Sequence, residues 1–421
     1  NGGQAWYRTQ FYLEEDASLV SVRLLFDGVY MNFQVYINGQ VLGYYPNGYT
    51  PFSYDITPYL RNDGTANQLA VFVENQQPSS RWYSGSGIYR EVKLLITDSV
   101  HLDLYGIKIE SPKLKEQRDG WVETQLTSKV SNDGSQSVSV YLEQSIWYDG
   151  QQLSDWQATD SLVIESGDKY SFQQAISIFQ PLLWDIDHPH LYQLKTRIYK
   201  NGILVDEGEE SFGYRYMDWQ ADKGFFLNGR WLKIHGVCLH HDYGALGAVE
   251  NRSAAERRLR QMKEMGVNAI RITHNPASSI LLDVAAKMGL LIQEEAFDTW
   301  YGGKKEYDYG RFFEEEATHP EAKAGDFWSD YDLRIMIERG KNNPAIIMWS
   351  LGNEVSEANG DAHSLKTVKR LLERVKEVDD SRFVTMGMDQ FRFGDGSGGH
   401  EKIANLLDVV GLNYSEDNID G

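Results

Sequence analysis

The sequence predicts a multidomain chain: an all-β jelly-roll sandwich over residues 1–98, an immunoglobulin-like β-sandwich over residues 99–212, and a (β/α)8 TIM barrel, truncated after about six strands, over residues 213–421. Three observations support this fold class. Short runs rich in Val, Leu, Phe and Tyr recur in the first half of the chain, the hydrophobic period changes near Phe212, and strands alternate with helices beyond it. With 421 residues and 41% apolar content, the chain can form several buried cores.

Strands of the first domain are predicted from short apolar runs at similar spacing. The dipeptide Asn38-Gly39 is a strong signal for a two-residue hairpin turn. Runs spaced in this way favour a jelly-roll-like sandwich. The clearest strands are Ser18 to Phe26, Asn32 to Ile37, Gln68 to Val73 and Glu91 to Ile96.

The second domain shows the same kind of signal. Residues alternate between polar and apolar from Trp121 to Val130, and Asn201-Gly202 marks a hairpin between Leu191 to Tyr199 and Ile203 to Val205. The length and the strand spacing fit an immunoglobulin-like sandwich.

Strands and helices alternate in the third domain, which argues for parallel βα units. One of the predicted helices, Ser253 to Gly266, opens with a capping box formed by Ser253 and Glu256. A closed barrel needs eight strands, so six strands predict an incomplete barrel. The six predicted strands are Trp231 to Leu239, Val267 to Ile272, Leu290 to Gln293, Ala345 to Leu351, Phe383 to Met386 and Val409 to Leu412.

Composition excludes several classes of partner. Lys and Arg number 41 against 61 Asp and Glu, and the resulting net charge of -20 argues against binding nucleic acid. The single cysteine, Cys238, cannot form an internal disulfide framework, and no apolar window approaches the length needed for membrane insertion.

The most informative stretch is KNNPAIIMWSLGNE, from Lys341 to Glu354. Ala345 to Leu351 is apolar or small without alternation, which is typical of a parallel strand buried on both faces. Asn353 and Glu354 follow directly, so an amide and a carboxylate are expected at the strand end where chemistry collects in such folds. The alternative is that Glu354 is a helix-start carboxylate favoured by the helix dipole.

This stretch resembles the acid/base signature of glycoside hydrolase family 2, whose members include β-galactosidases, β-glucuronidases and β-mannosidases. RWYSGSGIYR, from Arg81 to Arg90, resembles the loop and strand that end the sugar-binding domain of the family. The resemblance covers the whole chain and implies a retaining exo-β-glycosidase with Glu354 as the general acid/base. It places the nucleophilic Glu on the seventh barrel strand, beyond residue 421. A retaining mechanism needs two carboxyl groups roughly 5 to 5.5 Å apart.

Substrate-binding residues follow from the same resemblance. GVCLHHDYG implies a sugar contact by His240, and NAIRITHNP carries over Arg271 and His274. Asn353 would hydrogen-bond the sugar 2-hydroxyl, a contact that strengthens in the transition state. Tyr414 matches the family tyrosine that hydrogen-bonds the nucleophile.

Four further residues are weaker candidates. Asp389 ends the fifth strand and could bind sugar hydroxyls, and Asp298 and Trp300 could line the pocket. Trp82 could stack against a sugar ring, although packing between domains would explain it equally well. Glu294 and Glu295 end the third strand and could substitute for the nucleophile, but the family pattern gives them no nucleophilic role, and they could equally cap a loop.

No cofactor and no catalytic metal are predicted. In metal-dependent β-galactosidases of the family, a Glu and a His follow the third strand, and Thr299 and Tyr301 occupy those positions here. Neither side chain is a good Mg²⁺ ligand, because that ion favours carboxylate oxygens.

The resemblance is greatest to the large surface-anchored β-galactosidases of Gram-positive bacteria. It therefore predicts a carbohydrate substrate, namely β-galactosides, an extracellular location that is either cell-surface anchored or secreted, and a remaining part of the native chain that completes the barrel. A β-glucuronidase of the same family is one alternative. A non-catalytic carbohydrate-binding or adhesive fragment, acting through the jelly roll and Trp82, is the other.

Overall fold

The computed structural model describes residues 2–14, 20–393 and 399–415. Within them the chain forms two β-sandwiches followed by a half-barrel of six parallel strands, which confirms the predicted fold class. Ser18 and Leu19, the first two residues of a predicted strand, lie outside the described residues. No helix among the described residues is both long and apolar enough to cross a membrane.

The first sandwich packs a four-stranded sheet against a three-stranded sheet. Asn38-Gly39 forms the predicted hairpin, and alternate side chains such as Phe33, Val35 and Val71 fill the core. The four-stranded sheet consists, in spatial order, of Gly3–Phe11, Asn67–Asn75, Phe33–Ile37 and Gln40–Tyr45. The three-stranded sheet consists of Phe52–Asp55, Val20–Phe26 and Val92–Asp98, and the short strands Val29–Tyr30 and Gly87–Ile88 pair beside them.

The second sandwich also has two antiparallel sheets. The hairpin at Asn201-Gly202 joins two strands as predicted. One sheet consists of Val100–Glu110, Trp121–Asn132 and Lys169–Phe179. The other consists of Gln151–Gln152, Val138–Tyr148, Tyr192–Lys200 and Ile203–Phe212, with Gln157–Ala158 and Leu162–Ile164 paired at its side, and a short helix spans Leu114–Gln117.

The half-barrel follows a small three-stranded sheet of Met217–Gln220, Gly224–Leu227 and Arg230–Trp231. Its strands lie side by side in chain order, and every residue of the fourth is buried, as the absence of alternation predicted. The six strands are Gly236–Leu239, Ala269–Ile272, Leu291–Glu295, Ile346–Asn353, Phe383–Met388 and Gly411–Leu412. The connecting helices are Arg252–Glu264, Ser279–Met288, Trp328–Gly340, Ala362–Val378 and His400–Ala404.

Two local predictions were wrong. The predicted strand from Trp231 to Leu239 is divided, because Trp231 pairs with Phe226 in the small sheet while the barrel strand starts only at Gly236. The helix predicted over Ser253 to Gly266 is present as Arg252–Glu264, but the predicted capping box is wrong, because the cap is Asn251, whose side chain accepts a hydrogen bond from the Ala254 amide.

The first sandwich is docked against the half-barrel. Tyr45 of the sandwich packs edge-on against Trp328 and Tyr331 of the barrel, with ring centroids 5.2 and 6.1 Å apart. Arg90, buried in the sandwich, donates hydrogen bonds to the carbonyl oxygens of Pro276 and Ala277 in the barrel. These contacts place the sandwich loop that carries Arg81 and Trp82 over the carboxyl ends of the barrel strands.

Candidate active site

The predicted site residues meet at one edge of the half-barrel, because parallel strands in chain order end side by side. His240 and His274 follow the first and second strands, Asp298 follows the third, and Asn353 and Glu354 lie at the end of the fourth. Asp389 and Tyr414 follow the fifth and sixth strands.

Glu354 does not start a helix. The following helix begins at Ala362 and is capped by Asp361, so the helix-dipole interpretation of Glu354 was wrong. Its backbone adopts a left-handed conformation with φ 48°, and its N–H donates to the Gly387 carbonyl at 2.7 Å. Such strained conformations in non-glycine residues cluster at functional sites.

The two oxygens of the Glu354 side chain have different neighbours. Oε1 accepts a hydrogen bond from Nδ2 of Asn413 at 2.9 Å, and Oε2 lies 3.8 Å from Nη1 of Arg81. The side chain remains 15% exposed.

Asn353 is completely buried beside Glu354, and three side chains fix its amide. Its Oδ1 accepts hydrogen bonds from Arg271 at 2.8 Å and from Asn413 at 3.1 Å, and its Nδ2 donates to Asp298 at 3.3 Å. The amide is therefore held in one orientation at the base of the site.

Glu295 is a structural anchor. Its Oε2 accepts hydrogen bonds from Nη2 of Arg271 at 2.8 Å and from Ser350 at 2.7 Å, and its Oε1 lies 2.5 Å from Nδ1 of His274. Burial disfavours the charge on Arg271, but the Glu295 carboxylate outweighs burial and raises the pKa of the guanidinium.

Both carboxylates of the pair are held by other side chains, so the structure leaves the nucleophile interpretation of Glu294 and Glu295 without support. Both are completely buried. Glu294 forms an ion pair with Arg339, and burial raises the pKa of Glu294.

Aromatic rings form one wall of the site. The Trp82 ring centroid lies 5.0 Å from that of His240 and 5.7 Å from that of His274. Burial lowers the pKa of His240 below its usual 6.5, and His274 lowers it further, so His240 is neutral at pH 7. The adjacent His241 packs between Tyr49 and Tyr89 and has no place in the wall.

Asp298 joins the sandwich loop to the barrel. Its carboxylate accepts two hydrogen bonds from Arg81, at 2.9 and 2.5 Å, and one from Lys304 at 3.0 Å. Burial acts to raise the pKa of Asp298, but these two cations outweigh it and hold that pKa below its usual value. A small cavity of about 50 Å³ between the two domains opens beside Arg81, Trp82, His274 and Asp298.

Three other predicted residues have different surroundings. Trp300 is completely buried and donates from Nε1 to the Leu351 carbonyl at 3.2 Å, so it supports the fourth strand. The prediction that Trp300 lines the pocket was therefore wrong. Asp389 forms an ion pair with Arg392 at 3.6 Å. Tyr414 is 65% exposed, and the Arg392 guanidinium lies 5.7 Å from its ring centroid.

Sequence reasoning missed Arg81, Lys304 and Asn413. Arg81 opens the motif RWYSGSGIYR and Asn413 directly precedes the predicted site residue Tyr414, so these stretches of sequence were the available signal. Lys304 lies in an irregular segment without such a signal.

The residues after the third strand offer little to a metal ion. Thr299 is buried and donates to the Trp300 carbonyl, and Tyr301 stacks on His363 with ring centroids 4.1 Å apart. Over the described part of the chain, no three His, Cys, Asp or Glu residues are grouped so that they could hold a metal ion.

Three family models match consecutive parts of the chain. Residues 1–98 match the sugar binding domain of the glycosyl hydrolases family 2, residues 102–215 match a further model of that family, and residues 220–415 match its TIM barrel domain. The chain belongs to glycosyl hydrolase family 2.

Curated and solved relatives agree with this assignment. The chain is 38% identical to the beta-galactosidase BoGH2A of Bacteroides ovatus, over 99% of this chain and 50% of that protein. It is 28% identical to a beta-glucuronidase of Bacteroides fragilis, over 91% of this chain and 54% of that protein. A glycosyl hydrolase family 2 structure from Bacteroides cellulosilyticus superposes with a TM-score of 0.89 at 33% identity, covering 98% of this chain and 50% of that chain.

The chain thus spans about half the length of the relatives it matches. The relatives named here come from Bacteroides. They do not show the predicted resemblance to surface-anchored enzymes of Gram-positive bacteria.

Proposed function

We propose that this chain carries the acid/base half of a retaining exo-β-glycosidase that releases terminal non-reducing β-D-galactose. The observation that carries the proposal is the placement of Glu354. Its partly exposed carboxylate stands at the end of a buried parallel strand, beside a fixed amide, Asn353, and a cation, Arg81. The nucleophilic Glu belongs, in this proposal, to a seventh strand beyond residue 421.

Each group then has a chemical role. Glu354 gives its proton to the glycosidic oxygen as the bond to the anomeric carbon breaks and the nucleophile attacks that carbon. In the second step the Glu354 carboxylate accepts a proton from water, which releases the sugar. The family resemblance assigns the 2-hydroxyl to Asn353, and the neutral imidazole of His240 hydrogen-bonds another hydroxyl.

Galactose is favoured by the 38% identity to a beta-galactosidase, and glucuronic acid is the second candidate because a beta-glucuronidase is also similar. The extracellular location stays a prediction, as does the completion of the barrel by further residues of the native chain.

The experiment compares nitrophenyl β-galactoside with nitrophenyl β-glucuronide, using the natural chain that contains these residues and a complete barrel. The proposal expects kcat/KM to be at least about 100-fold higher for the galactoside, because unmatched buried polar groups penalise the wrong sugar strongly. A preference for the glucuronide would reverse the sugar assignment and leave the role of Glu354 standing. If neither sugar is released but glycan binding depends on Trp82, the non-catalytic alternative is correct.

A further inference from the structure

Arg81 crosses from the first sandwich to the barrel and ends next to Glu354. Its Nε and Nη2 donate to the two oxygens of Asp298 at 2.9 and 2.5 Å, which is a bidentate pairing. This arrangement fixes the plane of the guanidinium and leaves Nη1 directed away from Asp298. Nη1 lies 3.8 Å from Oε2 of Glu354.

A second cation completes the group. Lys304 donates to Oδ1 of Asp298 at 3.0 Å and to the backbone carbonyl of Asn353 at 2.7 Å. Arg81 and Lys304 thus share the single carboxylate of Asp298. The one negative charge of Asp298 balances only one of the two positive charges. Glu354 is the carboxylate that this excess charge faces.

The surroundings of this charge are partly shielded from water. The side chains of Arg81, Asp298, Lys304 and Glu354 are only 34%, 13%, 15% and 15% exposed. Charges interact more strongly under such conditions than at an open surface.

We propose that Arg81 is a positioning residue for the acid/base. The positive charge of Arg81 stabilises the carboxylate that Glu354 becomes when it gives up its proton. The proposal rests on the proposed function. In the first step the proton passes from the Glu354 carboxyl to the glycosidic oxygen, the electron pair of the breaking C–O bond stays on that oxygen, and the nucleophile bonds to the anomeric carbon. Negative charge therefore develops on Glu354, and a fixed cation beside it lowers the barrier.

A structural tie between the domains would be the simpler role for Arg81, and the chain contains a matched control for it. Arg311, from the barrel, donates from Nη1 to Oε1 of Gln76 in the same sandwich at 2.9 Å. This contact joins the same two domains without taking part in the Asp298 and Glu354 group.

The test uses Arg81→Met, Arg81→Lys and Arg311→Met in the natural chain with a complete barrel, and measures kcat/KM on phenyl and dinitrophenyl β-galactosides. Phenolate is a poor leaving group that needs the proton, whereas dinitrophenolate leaves without it. We expect Arg81→Met to lower kcat/KM about 10- to 100-fold on the phenyl substrate and less than about 3-fold on the dinitrophenyl substrate. Arg81→Lys should recover part of the loss, because an ammonium keeps the charge but not the bidentate geometry.

Equal losses on both substrates, or a matching loss in Arg311→Met, would show a merely structural tie and overturn the proposal. An Arg81→Met variant as active as the unmodified protein would overturn it as well. If the unmodified protein releases neither galactose nor glucuronic acid, the proposed function fails and this inference fails with it. If the unmodified protein turns over normally but Arg81→Met loses activity equally on both substrates, only the role of Arg81 is disproved and the proposed function stands.

Discussion

At the scale of single residues, similar carboxylates in the half-barrel have different surroundings and therefore different uses. Glu295 is completely buried and satisfied by Arg271, His274 and Ser350. Glu354 is partly exposed, with one hydrogen bond from Asn413 and a nearby cation. A buried, fully paired carboxylate stabilises the fold, whereas an accessible one can exchange a proton with a ligand.

This difference predicts that the same substitution affects stability strongly at Glu295 and weakly at Glu354. We expect Glu295→Gln to lower the free energy of unfolding of the barrel by about 3 kcal/mol, because it leaves the Arg271 charge buried without its counter-ion. Glu354→Gln should change it by less than about 0.5 kcal/mol. Urea unfolding followed by tryptophan fluorescence measures both, and equal stabilities for the two variants would contradict the assignment.

At the scale of elements, the sequence predicted strands with strong local signals and missed those that depend on their surroundings. The fourth barrel strand was evident because its run of apolar residues is buried on both faces. The strand Gly3–Phe11 escaped notice because all but its last residue are exposed, so neither alternation nor an apolar run marks it. Ser253 resembled a helix cap, but Asn251, two residues earlier, takes that role.

In the site too, sequence reasoning found the residues with strong local signals and missed those that depend on contacts between domains. Strand-end motifs pointed to Glu354, Asn353, Arg271 and His274 because these positions lie in or just after the last residues of recognisable strands. The pairing of Arg81 with Asp298 joins residues 217 positions apart, and only the docking of the sandwich on the barrel creates it. Burial likewise removed Trp300 from the pocket, since local sequence does not tell which face of a loop turns inward.

At the scale of the whole molecule, the interface between the first sandwich and the barrel contains two buried titratable groups with opposite pKa shifts. His319 packs against Tyr54 and Tyr331, and burial lowers its pKa to about 3. Asp332 accepts hydrogen bonds from Tyr45, Tyr309 and Asn47, yet burial raises its pKa to about 6.

These shifts predict opposing contributions to acid stability. Between pH 6.5 and about pH 3 the unfolded chain binds a proton at His319 that the folded chain does not, so this contribution falls as pH is lowered. The contribution of Asp332 has the opposite sign, since it is complete below pH 3.8 and is lost as pH rises through about 6. At pH 5, relative to neutral pH, His319 lowers the free energy of unfolding by roughly 2 kcal/mol and Asp332 raises it by roughly 1 kcal/mol.

Substitutions separate the two terms. On going from pH 7.5 to pH 5, we expect His319→Gln to lose less stability than the unmodified chain and Asp332→Asn to lose more. The quantity to compare is the change in the denaturation midpoint of each protein between the two pH values. This difference cancels the loss of stability that each substitution causes at every pH. The reverse order of the three proteins would contradict the burial-driven shifts.

The most direct test of the central claim is the turnover of phenyl β-galactoside by Glu354→Ala, in the natural chain with a complete barrel, with and without azide. If Glu354 is the general acid/base, kcat/KM falls by about 10²- to 10⁴-fold. On dinitrophenyl β-galactoside, whose leaving group needs no proton, azide should restore turnover and yield a galactosyl azide with retained configuration, because the small anion needs no general base. A variant that hydrolyses phenyl β-galactoside as fast as the unmodified protein would show that Glu354 is not the acid/base.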